Sequence, residues 1–281
     1  MNGLTARLGA ASAFALRPLS LRRMLILVLR YWYVLRGSWP RLLDLAYWPT
    51  VQMILWGFIT QFLAVKTSYV AQAFGVLLSG VLLWDVLFRA QLGVSISFFE
   101  DVWARNLGHL FVSPLRPGEM AGALMLMSLL RTLLGVVPAA VLAAVFFGFS
   151  LLSLGLSLVA FFACLLVMGW ALGLLICGIV LRWGQGAESL AWALIFAFAP
   201  VSGVYYPISI LPHWLQHVAW ALPSAYVFTG MRSILVDHVV HLDLMAAAAA
   251  LDLVYLSLGA AVFLACFHVA RRRGLLLQTG E

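Results

Sequence analysis

Six apolar runs, each about as long as a membrane-spanning helix, constrain this chain more than any other feature. A helix rises 1.5 Å per residue and needs about 20 apolar residues to cross a hydrocarbon core about 30 Å thick. The runs cover residues 42–65, 70–97, 119–147, 154–181, 189–206 and 244–270. Because backbone polar groups in lipid must be satisfied within the protein, we predict an all-α membrane protein with six transmembrane helices in a single domain, residues 1–281.

The composition agrees with burial in lipid. Hydrophobic residues make up 64% of the chain and charged residues 10%, whereas a soluble domain carries about 25% charged residues. Too few polar side chains are present to cover a surface in water, which excludes a typical soluble enzyme. The three cysteines, Cys164, Cys177 and Cys266, lie within apolar runs without metal-binding spacing and are interpreted as small buried residues.

The basic residues predict the orientation. Thirteen arginines precede, follow or separate the runs on one predicted side, Lys66 and Arg232 lie on the other, and Arg89 and Arg131 fall inside runs. Basic residues concentrate in cytoplasmic loops of membrane proteins, so both termini are predicted to be cytoplasmic. A nucleic-acid-binding protein would instead spread its basic residues over an exposed face.

The segment before the first run, residues 1–41, is predicted to be a cytoplasmic tail and an interface helix. The apolar stretch Leu19–Leu35 is interrupted by arginines, of which Arg23 and Arg30 are seven residues apart and share a helix face. Three aromatic residues, 31–33, are of the kind that lie at headgroup level. We therefore predict an amphipathic helix on the membrane surface.

The tail itself has an alternative interpretation. The stretch Leu8–Leu16 is similar to the short apolar core of a signal peptide. Arg17, Arg22 and Arg23 follow it at once, and this favours a cytoplasmic tail.

The cytoplasmic connection 98–118 has a helical pattern of its own. Its apolar residues, Phe99, Val102, Trp103, Leu107 and Leu110, recur at helical spacing. Glu100, Asp101 and Arg105 fall on the opposite face, and Pro114 and Pro117 end the helix. The pattern fits either a connector lying on the membrane surface or a lever that docks into a cytoplasmic partner.

The outer connection 200–243 is too apolar for a solvated loop and too often interrupted by proline for one spanning helix. Short helices dipping into the outer leaflet fit it better, since such backbone is tolerated where protein or a water-filled cavity covers it. The residues that mark this segment are Tyr205, Tyr206, Pro207, Pro212 and Pro223. Its aromatic residues either form an interfacial belt or line a pore and contact sugars.

Three charged residues within the runs are candidates for a polar pathway. Asp85 and Arg89 are four residues apart and can pair along one helix face, and Arg131 lies midway along the third run. Unpaired, each would cost several kcal/mol in hydrocarbon. They either line a transport pathway or subunit contact, or form helix-packing pairs.

Two absences limit the chemistry. His213 and His217 are four residues apart but lack the HExxH pattern, so no metal site is predicted. The only lysine, Lys66, has Thr60 where a P-loop needs its first glycine. We therefore expect no ATPase site and no enzymatic activity in this chain.

The chain resembles the permease subunits of ABC-2 type exporters over nearly its whole length. The likeness includes the basic surface helix, the connection FFEDVWARNLGHLFVSPLRPGE and the outer segment SGVYYPISILPHWLQHVAWALPSAYVFTGMR. In that family a short, proline-punctuated re-entrant pair lies between the fifth and sixth spans. The stretch Ser202–Pro207 and the step Leu222–Pro223 match that pattern.

The resemblance implies two permease chains, identical or homologous, in the inner membrane above two cytoplasmic ABC ATPase subunits that carry ATP and magnesium. Its cargo range includes polysaccharides, lipooligosaccharides and drugs, with no nucleic acid among the partners. The connection and the surface helix would take up the motion of the ATPases. The residues assigned to this coupling are Glu100, Asp101, Trp103, Arg105, Leu107, Arg22 and Arg30.

Two other functions stay open at this level. In an ion-coupled secondary transporter, Asp85 and Arg89 would form the relay, although such folds often have broken helices in both halves. In an intramembrane enzyme, the outer histidines would act, but no set of a nucleophile and a base has a recognisable spacing.

Overall fold

The computed structural model describes residues 19–66, 68–148 and 154–274, and these contain helices and turns without a strand. The predicted tail, residues 1–18, lies outside the described residues. In chain order the helices are α1 (Leu21–Arg36), α2 (Trp39–Lys66), α3 (Ser68–Trp103), α4 (Leu107–Val112), α5 (Pro117–Phe147), α6 (Ser157–Trp183), α7 (Leu190–Phe198), α8 (His213–Trp220), α9 (Pro223–Arg232) and α10 (Leu242–Arg273). The all-α fold class is confirmed.

Five helices in the described part of the chain are long and apolar enough to cross a membrane: α2, α3, α5, α6 and α10. They coincide with five of the six predicted runs. The C-terminal ends of α3, α6 and α10 lie beside the start of α5. The arginine-rich segments therefore lie together at one end of the bundle. We call this the basic end, and the end where α6 and α10 begin the far end.

The prediction of a full-length helix over residues 189–206 is wrong. The helix there, α7, has nine residues, and turns follow it to residue 206. Pro200 has no N–H to donate to the carbonyl of Phe196 and so stops the helix, and Gly203 then turns the chain with a φ of 74°.

This segment nevertheless runs antiparallel along α3. Its start, at Glu188, accepts a hydrogen bond from Trp103, while the ring of Phe196 packs beside Phe88. Further on, the Val204 carbonyl oxygen lies 2.9 Å from where a Cβ atom on Gly80 would be. From residue 80 to residue 103, α3 extends about 35 Å, so the chain passes along most of the bundle with little helix.

The centre of the bundle is α6, which packs between α3 and α10. A Cβ atom on Gly169 would lie 2.5 Å from the Ala90 Cβ atom, and one on Gly259 would lie 2.4 Å from the Ala171 carbonyl oxygen. Small residues allow such close helix contacts in membranes, where dispersion forces hold helices together. Consequently α3 and α6 are largely buried, whereas only 17% of the apolar window of α2 is buried.

Candidate functional site at the basic end

The surface helix α1 docks against the basic end through one apolar face. Leu27, Val28, Tyr31 and Leu35 are buried there, in the same cluster as Phe98 of α3. Their spacing follows the helical repeat, so one side of α1 is packed against the bundle. The predicted interface helix is therefore present, but it is fixed to the helices above it rather than free on a surface.

Glu119 ties α1 to the first turn of α5. Its carboxylate accepts hydrogen bonds from the Arg23 guanidinium at 2.8 and 2.5 Å, and from the backbone N–H groups of Ser20 at 2.8 Å and Arg116 at 3.1 Å. A carboxylate at a helix N-terminus is also stabilised by the helix dipole. The hydrogen bond to Glu119 raises the pKa of Arg23, so this guanidinium stays charged.

Asp101 ties α1 to the last turn of α3. It is fully buried and accepts hydrogen bonds from Arg30 and from the Tyr31 hydroxyl, each at 2.6 Å, and a longer one from Asn106. Burial raises the pKa of the Tyr31 phenol well above its ordinary value, and the neighbouring Asp101 carboxylate adds to the shift. Tyr31 therefore remains a hydrogen-bond donor at every physiological pH.

Glu100 ties α2 and α5 to α3. One of its oxygens accepts from Arg41 at 3.3 Å and the other from Arg131 at 3.0 Å. Its side chain is 10% exposed and that of Arg131 is 5% exposed, so the inner half of this triad is shielded from solvent. Three acidic residues, Glu100, Asp101 and Glu119, thus connect four helices at the basic end, and we call them the acidic anchors.

The face of the connection opposite its apolar residues is partly buried. Glu100 and Asp101 point into the bundle because their partners are arginines and a tyrosine distant in the chain. The single helix predicted through Leu110 is also interrupted: α3 continues to Trp103, Arg105 then takes a left-handed conformation with φ of 54°, and α4 starts at Leu107. A non-glycine residue with positive φ is uncommon, and here it marks the break.

The remaining coupling candidates divide by exposure. Trp103, Arg105 and Arg22 are exposed, Arg30 is partly buried, and Leu107 is buried. The Trp103 indole N–H donates to Glu188 at 3.0 Å, which connects the end of α3 to the turn between α6 and α7. Val112, at the end of α4, is 90% exposed.

The three charged residues of the predicted pathway have separate ion-pair partners. Arg89 donates to Asp85 at 2.8 Å within α3, and a Cβ atom on Gly135 would lie 2.6 Å from the Arg89 Nε atom. The guanidinium therefore fits a slot left open by glycine in α5. Arg131 instead pairs with Glu100, one of the acidic anchors.

The outer segment has the short helices that its prolines predict. Pro207 precedes a 3-10 turn at Ile208–Ile210, Pro212 precedes α8 and Pro223 opens α9. Tyr205 stacks on Trp56 of α2 with ring centroids 5.1 Å apart, and the Tyr206 hydroxyl donates to the Pro200 carbonyl at 2.7 Å.

Arg232 is a residue that sequence reasoning missed here. Its guanidinium donates to the carbonyl oxygens of Gly203 and Val204, the latter at 3.1 Å. These contacts close the segment on itself across 28 residues. In the sequence Arg232 is a lone outer arginine, and no pattern links it to the carbonyl oxygens of the turn after α7.

A group of three or more His, Cys, Asp or Glu side chains able to hold a metal is absent from residues 19–66, 68–148 and 154–274. His213 and His217 lie on the short helix α8, and His241 is 3.6 Å from the exposed Asp243. The outer histidines thus do not converge on one point.

Comparison with known proteins gives the family. A family model described as ABC-2 type transporter matches residues 24–236, about three quarters of the chain, from α1 into the turn after α9. A search of curated proteins found no match. The matched region contains the acidic anchors, the connection and most of the outer segment. The chain therefore belongs to the ABC-2 type transporter family and is a membrane-spanning transport component of an ABC system.

Proposed function

We propose that the chain is the permease subunit of an ATP-driven exporter. It moves an amphipathic or lipid-linked substrate, such as a polysaccharide, lipooligosaccharide or drug, across the inner membrane. A separate ATPase binds ATP and magnesium and docks at the basic end, which faces the cytoplasm together with both termini.

The observation that carries this proposal is the set of acidic anchors. A partner that pushes on the connection between α3 and α5 displaces Glu100, Asp101 and Glu119, and these are ion-paired to α1, α2 and α5. Buried or half-buried ion pairs resist separation, because a lone buried charge is costly. Displacement of the connection therefore moves several helices together.

The docking surface for the ATPase is formed by residues of the connection that do not pair with the acidic anchors and stay exposed. The exposed Trp103, Arg105 and Val112 line one side, and Trp103 reaches Glu188 in the neighbouring turn. Binding of a partner that changes shape with ATP then shifts the permease between two arrangements, since the partner favours one of them.

A second permease chain completes the pathway. The outward face of α2 is rich in exposed large apolar residues, which a second copy or homologue covers in part and lipid covers elsewhere. These residues are Trp39, Leu43, Tyr47, Trp48, Leu55, Phe58 and Phe62.

An ion relay through Asp85 and Arg89 receives no comparable support. Each group is the other's partner one turn away on the same helix, both are about nine-tenths buried, and Arg131 is engaged elsewhere. The pair satisfies its own charges within α3, as expected for a structural pair.

The test is co-purification of an ABC ATPase with the tagged full-length chain, with magnesium-dependent ATP hydrolysis as the readout. We expect hydrolysis only from the complex. Val112→Asp, at the exposed end of α4, should lower the recovered ATPase about tenfold, because a carboxylate replaces an apolar contact. Val239→Asp is the matched control, since Val239 is exposed at the far end.

Equal recovery from both variants would contradict docking at the connection. Substrate uptake or efflux in vesicles with an ion gradient and without nucleotide would contradict the ATP-driven mechanism and favour the ion-coupled one.

A further inference from the structure

The outward face of α1 is apolar although its inward face is already packed. Leu21, Leu25, Ile26 and Leu29 are between 48 and 63% exposed. They recur at spacings of three and four residues and lie on the other side of the helix from the buried Tyr31 and its neighbours. The docked helix therefore presents a second apolar stripe away from the bundle.

The apolar stripe also forms a groove on the surface of α1. Leu21, Arg22, Leu25, Ile26 and Leu29 line an open groove of about 400 Å³ along α1. Keeping four large apolar side chains in water would cost several kcal/mol at about 25 cal/mol per Å².

The charges of α1 divide between its two sides. Arg23 forms an ion pair with Glu119, and Arg30 forms one with Asp101. Arg22 and Arg36 are exposed and have no ion-pair or hydrogen-bond partner within the described ranges of the chain. They are fourteen residues apart and share the face of the apolar stripe, about 21 Å from each other along the axis.

We infer that this face of α1 binds anionic phospholipids of the adjoining leaflet, with acyl chains against Leu25, Ile26 and Leu29 and phosphate groups at Arg22 and Arg36. The guanidinium fork matches phosphate geometry, and α1 contains no acidic residue to repel it. At 21 Å the two arginines take separate lipids. The inference rests on the membrane orientation of the proposed function but not on the ATPase or the cargo.

A bilayer is favoured over a protein partner by the way the charges are placed. An apolar stripe carrying arginines at both ends, on a helix held at the end of a membrane bundle, fits the interface between acyl chains and headgroups. Basic residues near an anionic membrane surface each add binding free energy that salt weakens.

The test is native mass spectrometry of the purified full-length chain, titrated in detergent with phosphatidylglycerol or with phosphatidylcholine of the same acyl chains. We expect tighter binding of phosphatidylglycerol. Arg22→Gln and Arg36→Gln should each weaken it about fivefold, and the double variant about 25-fold. Arg182→Gln, which removes an exposed arginine of another helix at the same end, is the matched control and should change it less than twofold.

A second variant tests the groove separately from the charge. Leu29→Ser should weaken both lipids to a similar extent, because it removes apolar contact without altering the charge. The melting temperature of each variant in the same detergent shows whether it is folded.

Equal affinity of the wild-type chain for the two lipids, or unchanged phosphatidylglycerol binding by the double variant, would overturn the inference. Loss of ATPase recovery from the double variant with unchanged lipid binding would also overturn it, since the face would then serve a protein. Val112→Asp reports on ATPase docking independently, so failure of the lipid site and failure of the proposed function give different results.

Discussion

The two ends of the bundle are held together by different interactions. At the basic end, carboxylates pair with arginines 96 and 71 residues away in the chain, joining separate long helices. At the far end, Arg232 and Tyr206 donate to backbone carbonyls of their own segment, within 29 residues. The ion pairs of the basic end thus join separate long helices, whereas the hydrogen bonds of Arg232 and Tyr206 join parts of one segment, which packs on α2 and α3 through Tyr205 and Val204.

The largest effect is expected from substitution of Asp101 at the basic end. Asp101→Ala removes the carboxylate that accepts hydrogen bonds from both Arg30 and Tyr31. The buried Tyr31 hydroxyl and the half-buried Arg30 guanidinium then lose their acceptor. We expect a loss of about 2–3 kcal/mol, discounted for the partial exposure of Arg30. Thermal unfolding of the purified chain, with hydrogen exchange of α1, measures the effect.

Asp243→Ala is the control for Asp101→Ala, because the Asp243 side chain is 79% exposed. Its effect should stay within about 0.5 kcal/mol. If Asp101→Ala left both the stability and the exchange of α1 unchanged, the ion pairs would not hold the basic end together.

The far end is tested by Arg232→Met. The variant keeps the apolar stem but loses hydrogen bonds to the Gly203 and Val204 carbonyls, for an expected cost of about 1.5–2 kcal/mol. Because these contacts are local, hydrogen exchange should rise in residues 200–240 and stay unchanged in α1. Faster exchange in α1 as well would show that the two ends are not independent.

The smallest effect is expected at Trp103. Trp103→Phe keeps an aromatic ring but loses the exposed hydrogen bond to Glu188, which should cost less than about 1 kcal/mol. If the contact serves the docking surface, recovery of the ATPase should fall while the melting temperature does not. A large drop in melting temperature would make Trp103 part of the fold instead.

The long helices were predictable because the information that sets them is local. Apolar length predicted the ends of α2, α3, α5, α6 and α10 to within three residues, except that α3 continues six residues beyond its predicted end. The prolines marked the starts of α8 and α9. Residues 189–206 were mispredicted because apolar composition was given more weight than Pro200, which ends a helix whatever its surroundings.

The site was only partly predictable. The sequence placed Glu100 and Asp101 on the face opposite the apolar residues of the connection but did not show that both are buried and paired, since helical periodicity cannot distinguish a solvated charge from one paired across the fold. Arg131 was assigned to a pathway from its position midway along a run, and its partner Glu100 lies on another helix. Arg232 carried no signal at all.

The sequence by itself determined that the chain enters a membrane, how its arginines are distributed and which family it belongs to, because these follow from apolar length, charge and local motif. Only the tertiary structure decided which acid meets which arginine and which face of α1 is left open. Those pairings join residues far apart in the chain, and burial makes each carboxylate depend on a partner that its own segment does not contain.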